Sequence, residues 1–384
     1  MPIFDAKSIP EEVHSSTKDP EVAAFLKTGP VLGAPKPIHE QRVEHNAFID
    51  KVKPPIGKIE HLVLDGPHGS LPVRVYHPSK PGPAEGGALI YIHGGGFIVG
   101  TLDQFDTAMR LFCETSGAQV YSVDYKLAPE YQWPTQIEEA EFVVRWLFDH
   151  AAERGLDPNR IGLGGDSAGG NITCTVCLKL RDENGPKPAL QMPIYPEAEM
   201  PFFTRAGVEN VSGGYVDTAG VLLFVWCLVP QGVDYSQPYI TPMNAKSHAG
   251  LPKAILVTAG FDMLRDVAHH YAQKLAKAGN DITYVHYPDL SHAFIQMTAH
   301  SKRCLEATQE VAQLLGKALQ KVEAAPFNRT ALRRRRDEFE LGRHLRRCAN
   351  AKRRCGSVYR LDKWRTRHIR LWPVADAHPE TRFF

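Results

Sequence analysis

The chain has 384 residues, 43% of them hydrophobic and 9% aromatic, so it can bury a sizeable core in one or two domains. The longest apolar run, VLLFVWCLV at 221–229, is far shorter than the roughly 20 residues that cross a bilayer, which argues against a membrane-spanning protein. The net charge of +2 conceals a basic end, because residues 326–384 hold 17 Lys and Arg against 6 Asp and Glu.

The N-terminus and the cysteines predict a cytoplasmic location. MPIFDAKSIPEEV lacks the basic start and apolar stretch of a secretory signal, and the seven cysteines are scattered as in a chain with reduced thiols. Cys174 and Cys177 form a CxxC inside the apolar stretch NITCTVCLKL, which favours a buried helix face over a redox or zinc site. No histidine has a metal-ligand spacing such as HExxH, so we expect neither a metal nor another cofactor.

The predicted elements alternate along the chain. EHLVLDG and LPVRVYH flank a turn cluster and predict an early hairpin. Strands are then predicted over 87–92, 118–125, 160–165, 190–195, 253–259 and 281–287. Helices are predicted over 105–116, 136–154, 167–183, 266–278 and 299–321, with Thr135 and Glu138 as a capping box for the second of them. This order predicts an α/β fold with a mostly parallel sheet, helices on both faces and ligands at the carboxyl ends of its strands.

Two stretches interrupt the alternation and a third follows it. Residues 1–55 are polar and rich in proline, and residues 196–245 form a long insertion with its own apolar helix, typical of a lid or pocket wall. Residues 326–384 show no helix or strand period and are predicted to be a disordered or non-native tail. Nucleic-acid binding through its arginines is the less favoured alternative.

A serine surrounded by glycines, GLGGDSAGGN at 162–171, is the first candidate for chemistry. A dinucleotide fingerprint would need glycine where Ser167 stands, and a P-loop would need GK[ST], which is absent. Gly165 to Gly169 instead match GxSxG at a strand-to-helix junction, where small neighbours let the chain bend tightly around a nucleophile. We therefore predict that Ser167 is a nucleophile.

A serine nucleophile needs a base and an acid that orients the base. On a fold of this kind they follow in the order Ser, acid, His, each after a later strand. Asp262 follows the strand at 253–259 and His292 follows the strand at 281–287, so both are preferred by position. The rivals are Asp266, Asp289, His269, His270 and His286.

A glycine-rich loop supplies the fourth feature of the site. YIHGGGFIVG directly follows the strand at 87–92, and its glycines let main-chain amides face an oxyanion without obstruction. The amide of Ala168, at the start of the helix after Ser167, is a second source of donors.

HGGGF, GDSAGG, YKLAPE and the Asp262 and His292 loops together resemble the bacterial hormone-sensitive-lipase-like esterases of the α/β-hydrolase superfamily. The resemblance implies an α/β-hydrolase fold, a cap built from 1–55 and 196–245, and a catalytic domain over 56–325. It also suggests a homodimer. It further implies a triad of Ser167, Asp262 and His292, oxyanion donors at Gly95, Gly96 and Ala168, and a loop-shaping role for Gly94.

Two motifs depart from the family's pattern. Met263 replaces the usual proline after the acid, and Ala293 replaces the usual glycine after the histidine. Neither change removes a reacting group, so they bear on substrate fit more than on activity. YKLAPE, residues 125–130, has no reacting role that we can derive and is interpreted as support behind the active-site loops.

The predicted function is a serine carboxylesterase for short- to medium-chain acyl esters, acting on a small-molecule substrate through an acyl-enzyme. The pocket wall is predicted to use Phe97, Phe203, Phe224 and Leu264, which are bulky and apolar. The alternatives are a small-molecule binding protein on the same fold and nucleic-acid binding through the tail.

Overall fold

The structure is a computed structural model that describes residues 2–321, apart from the side chain of Ala219. Its strands are β1 Ile3–Asp5, β2 Lys58–Gly66, β3 Gly69–His77, β4 Ala88–Ile92, β5 Gln119–Val123, β6 Ile161–Asp166, β7 Leu190–Ile194, β8 Lys253–Phe261 and β9 Ile282–Ser291. Its helices are α1 Pro20–Phe25, α2 Ile38–Glu44, α3 Leu102–Ser116, α4 Thr135–Asp149, α5 Ala168–Asp182, α6 Arg205–Glu209, α7 Thr218–Leu228, α8 Arg265–Lys277 and α9 Lys302–Ala318. The tail predicted at 326–384 lies outside the described residues.

The strands form one sheet in the order β1-β9-β8-β7-β6-β4-β5-β3-β2. The strands from β9 to β5 in that order run parallel, while β1, β2 and β3 pair antiparallel with their neighbours. Every residue of the central strands β4, β6 and β7 is buried, as expected where helices cover both faces of a parallel sheet. The predicted sheet and hairpin are confirmed.

Several boundaries differ from the sequence prediction. β1 was not predicted, because three residues carry too little pattern. The capping box at Thr135 is wrong, because Pro134 occupies the N-cap position and no side chain caps α4. α4 also ends at Asp149, five residues before the predicted end at 154.

The CxxC lies where the sequence predicted. Cys174 and Cys177 are buried free thiols in α5, and burial raises the pKa of Cys174 to about 12. Within residues 2–321 no three His, Cys, Asp or Glu side chains are placed to hold a metal ion. Every helix over the same range is too short or too polar to span a bilayer.

The N-terminal segment and the 196–245 insertion contact each other. The Leu32 N–H donates to the Tyr215 carbonyl at 2.8 Å, and Leu32 forms a β-bridge with Val216. Next to this bridge, Gly33 has φ +80° and a side chain on it would collide with the Gly220 backbone. Two parts of the chain that are far apart in sequence therefore form one layer.

Candidate active site

Three polar side chains follow strands at the same edge of the sheet. Ser167 comes directly after β6, Asp262 directly after β8 and His292 directly after β9. The carboxyl ends of parallel strands meet at one edge, which is where an open α/β sheet binds its ligands. The strand order, rather than closeness in sequence, brings these residues together.

Ser167 stands on a strained turn. Its φ of 53° and ψ of −117° are rare for a residue with a side chain, and its N–H donates to the Ile194 carbonyl at 2.9 Å. A side chain at Gly165 or at Gly169 would collide with the Ile92 carbonyl. The glycines two positions before and after the serine are therefore required because the end of β4 packs closely against this turn.

The serine, histidine and aspartate form a continuous hydrogen-bonded chain. The Nε2 atom of His292 lies 2.9 Å from the Ser167 Oγ, and its Nδ1 lies 2.8 Å from the Asp262 Oδ2. The other oxygen of Asp262 accepts the Leu264 N–H at 2.8 Å, which fixes the carboxylate. All three side chains are buried, so their electrostatic interactions are weakly screened by solvent.

Backbone amides without partners lie beside this chain. The N–H groups of Gly95, Gly96 and Ala168 donate to no acceptor in the described part of the molecule. Gly95 and Gly96 have φ of 117° and 58°, which favour glycine. The Gly94 N–H is already used, because it donates to the Asp166 Oδ1 at 2.8 Å.

Asp166 anchors the glycine loop to the serine turn. The same Oδ1 accepts the Tyr91 hydroxyl at 2.9 Å, and burial raises the pKa of Asp166 to about 6. This carboxyl group therefore links β4, the loop after it and the residue before Ser167. An arrangement of this kind can present a hydroxyl, a base and oxyanion donors to one carbonyl carbon.

Known proteins resemble this chain over most of its length. A family described as alpha/beta hydrolase fold matches residues 89–296. The carboxylic ester hydrolase LipN of Mycobacterium tuberculosis is 32% identical over 323 residues, which cover 81% of this chain and 85% of LipN. The chain belongs to the hormone-sensitive-lipase-like esterases of the α/β-hydrolase superfamily. It is a carboxylic ester hydrolase, so the family resemblance and the enzyme class predicted from the sequence are confirmed.

Other members of the superfamily show the same relationship. An arylesterase of Saccharolobus solfataricus is 31% identical over 284 residues, covering 72% of this chain and 92% of that protein. The solved structure of the ester hydrolase EH1AB1 from the metagenome of Lake Arreo, in complex with a derivative of bipyridine phosphonate, superposes with a TM-score of 0.73 at 31% identity. That match covers 78% of this esterase and 98% of EH1AB1.

Of the predicted pocket residues, three lie near the site of the esterase. A side chain at Gly96 would come within 2.7 Å of the Phe224 ring, so this ring of α7 lies against the glycine loop. Leu264 is buried, and its N–H donates a hydrogen bond to the Asp262 carboxylate. Phe97 is buried in the glycine loop, and its carbonyl accepts the Ala128 N–H at 2.9 Å.

The structure does not bring Phe203 to the same site. Its side chain is 98% exposed and borders a groove of about 430 Å³ between apolar residues of α6 and α7. None of the residues that line this groove belongs to the serine, histidine, aspartate or glycine-loop groups. The prediction for Phe203 is wrong because sequence gives the character of the insertion but not which of its faces turns inward.

The rival residues are engaged elsewhere in the esterase. Asp266 accepts from Arg265 and from the Ala206 N–H, and Asp289 pairs with Arg303 at 2.9 Å. The remaining rivals are histidines that contact N-terminal carbonyls or face solvent, namely His286, His269 and His270. Among these carboxyl groups and imidazoles, Asp262 and His292 are the ones that the described structure connects to Ser167.

Sequence reasoning missed the aromatic residues around His292. Tyr195 follows β7 with φ 36°, and its ring centroid lies 4.6 Å from that of His292. Tyr215 lies in the insertion with its ring 6.4 Å from the imidazole. Neither tyrosine stands in a motif, so a single sequence carries no signal for them.

Sequence reasoning also missed Arg42, in α2. Its Nε donates to the Ile98 carbonyl at 2.8 Å, one guanidinium nitrogen donates to the Ala128 carbonyl at 3.0 Å, and Glu130 accepts two further bonds at 2.8 Å. The YKLAPE residues therefore connect the N-terminal segment to the glycine loop. The Tyr125 hydroxyl adds a bond to the His93 carbonyl at 2.9 Å.

Proposed function

We propose that the enzyme is a serine carboxylesterase that hydrolyses short- to medium-chain acyl esters through a triad of Ser167, His292 and Asp262. The observation that carries this proposal is the pair of contacts at 2.9 and 2.8 Å that connects the serine hydroxyl to the carboxylate through both imidazole nitrogens. A serine hydroxyl becomes nucleophilic when such a base accepts its proton.

The reaction proceeds in two halves. Ser167 attacks the ester carbonyl carbon while His292 accepts the hydroxyl proton and Asp262 stabilises the imidazolium. His292 then gives that proton to the leaving alcohol, and an acyl-enzyme remains. Water, activated by the same imidazole, releases the acid and restores the serine.

The oxyanion of each tetrahedral intermediate is assigned to the unpaired amides of Gly95, Gly96 and Ala168. Donors that are already oriented stabilise charge as it develops without further reorganisation, and removing one typically slows catalysis about 100- to 1,000-fold. Gly94 has a shaping role, since its N–H is bound to Asp166.

The N-terminal segment 1–55 and the insertion 196–245 are assigned as the cap, and 56–325 as the catalytic domain. We assign Phe224, which packs on the glycine loop, to the wall of the acyl pocket. Each buried methylene contributes only about 0.8 kcal/mol, so a short pocket gains little from long acyl chains. A related protein of Pseudomonas putida, 31% identical over 296 residues, is named an ethyl acetate hydrolase, which fits a small-ester substrate.

Replacing the nucleophile tests the triad. Ser167→Ala should reduce hydrolysis of p-nitrophenyl butyrate to the buffer rate and abolish labelling by a fluorophosphonate, because both need the Oγ atom. Ser247→Ala, at an exposed serine, is the control and should behave as the wild type. Retained turnover in Ser167→Ala would rule out this nucleophile.

A series of p-nitrophenyl esters tests the substrate range. We expect kcat/KM to be highest between acetate and octanoate and to fall for palmitate. A maximum at palmitate would contradict the short pocket while leaving the triad in place.

A further inference from the structure

Tyr215 is held rigidly beside the catalytic imidazole by the N-terminal segment. Its carbonyl accepts the Leu32 N–H at 2.8 Å. Its ring meets the Phe48 ring edge-on at 5.2 Å and the His45 ring at 5.6 Å. On its other side the ring lies nearly parallel to the imidazole of His292, at 14°. The side chain therefore has a fixed place next to the base.

The hydroxyl of Tyr215 is an unused donor. No protein group within residues 2–321 forms a hydrogen bond with it, although the residue is buried. The Tyr215 hydroxyl is not fully enclosed by protein, in contrast to the hydroxyl of Tyr195. A hydroxyl that has no protein partner and is not enclosed is available to pair with a ligand.

The Tyr215 hydroxyl remains a donor over the working pH range. Burial raises its pKa, and the carboxylate of Asp166, the residue before Ser167, contributes to the increase.

An ester presents two oxygens to this site. The carbonyl oxygen faces the amides of the glycine loop and of Ala168. The alkoxy oxygen must lie near the Nε2 atom of His292, because that atom protonates the departing alcohol. The ring of Tyr215 lies 6.4 Å from that imidazole, and its hydroxyl is a donor that no group of the described residues pairs.

We propose that Tyr215 contacts the substrate and that its hydroxyl donates a hydrogen bond to the alkoxy oxygen of the ester as the alcohol leaves. This inference rests on the proposed function. In acylation the Oγ–carbon bond forms, the carbon–alkoxy bond breaks, and His292 moves the serine proton to the alkoxy oxygen. Tyr215 keeps its own proton and stabilises the negative charge that builds on that oxygen before the proton arrives.

Two acetates with different alcohols test the contact in the variant Tyr215→Phe. The leaving group of ethyl acetate is a strongly basic alkoxide, so the negative charge on its oxygen needs stabilisation. The leaving group of p-nitrophenyl acetate is a phenolate, which is stable without a hydrogen bond. We expect kcat/KM for ethyl acetate to fall about 5- to 10-fold, the range for losing one such bond, and that for p-nitrophenyl acetate to change less than about twofold. The measured quantity is the ratio of the two values on one preparation, which does not depend on the fraction of protein that is folded.

Tyr271→Phe is the matched control. This tyrosine of α8 is also buried, but its ring packs edge-on against His248 instead of lying beside the catalytic imidazole. In Tyr271→Phe, the ratio of kcat/KM for ethyl acetate to kcat/KM for p-nitrophenyl acetate should equal that of the wild type. An unchanged ratio in Tyr215→Phe, or an equal loss for both acetates, would overturn the inference. The proposed function is tested separately by Ser167→Ala. If that variant is inactive while Tyr215→Phe leaves the ratio unchanged, the inference about Tyr215 fails and the proposed function stands.

Discussion

Glu197 is a buried carboxyl group directly behind the serine turn. It is 2% exposed, and its Oε1 has no hydrogen-bond partner among the described residues. Its backbone is fixed, because the Asn171 side chain donates to its carbonyl at 2.7 Å. Burial raises the pKa of Glu197 from 4.5 to about 8, so the group is neutral in the folded protein at pH 7.

This shift predicts a loss of stability in alkaline solution. The folded state holds the Glu197 proton more tightly than the unfolded state, so its contribution is complete below pH 4.5 and is lost as the pH rises to about 8. Relative to Glu197→Gln, the wild type should lose on the order of 4 kcal/mol of unfolding free energy between pH 4 and pH 9. Urea unfolding of both proteins at these two pH values measures the difference. Parallel pH dependences would show that the carboxyl group is ionised in the folded state.

At the scale of elements, α2 positions the glycine loop from outside the sheet. Arg42 donates hydrogen bonds to the carbonyls of Ile98 and Ala128 and forms an ion pair with Glu130. Glu44, also in α2, forms a solvent-exposed ion pair with Lys36. The contacts of Arg42 restrain the glycine loop and the YKLAPE segment. An exposed pair such as that of Glu44 and Lys36 contributes little to stability.

Arg42→Ala should therefore lower kcat by roughly tenfold with little change in KM, because loosened oxyanion donors weaken binding of the transition state more than of the substrate. Glu44→Ala, which breaks the exposed pair between α2 and Lys36, should leave both constants within about twofold of the wild type. Steady-state kinetics with p-nitrophenyl butyrate separate the two constants. A rise in KM alone would indicate that Arg42 shapes the substrate pocket instead.

At the scale of the whole molecule, every group assigned to the site lies within residues 2–321. Residues 1–322 form one compact unit, and α9 packs into it through buried side chains from Cys304 to Leu315. The arginine-rich residues 326–384 contribute no group to the proposed chemistry.

Truncation after Ala325 should leave kcat/KM within about twofold, as for a change remote from the site. It should also remove any salt-dependent binding to RNA or DNA, because 17 basic residues are lost. Ester hydrolysis and a filter-binding assay at two salt concentrations measure both effects. A large loss of activity would assign the tail to the enzyme, and salt-sensitive binding in the full chain alone would support its nucleic-acid alternative.

The class of fold, the enzyme class and the polar residues at the strand ends could be predicted from the sequence alone. These features are local: strand and helix periods, the GxSxG turn around Ser167 and the glycine run before Phe97 each lie within a few residues. Ser167, Asp262 and His292 each follow a strand, and the carboxyl ends of parallel strands lie at one edge of the sheet. Their proximity could therefore be predicted without knowledge of any long-range contact.

The surroundings of those groups could be seen only in the folded molecule. Tyr215 and Arg42 act across contacts between segments distant in sequence, and Glu197 owes its raised pKa to burial by the whole fold. Phe203 and Phe224 have the same chemistry and lie in the same insertion, yet one faces solvent and the other the glycine loop. Burial depends on which surfaces meet after folding, and a single sequence does not contain that information in any local pattern.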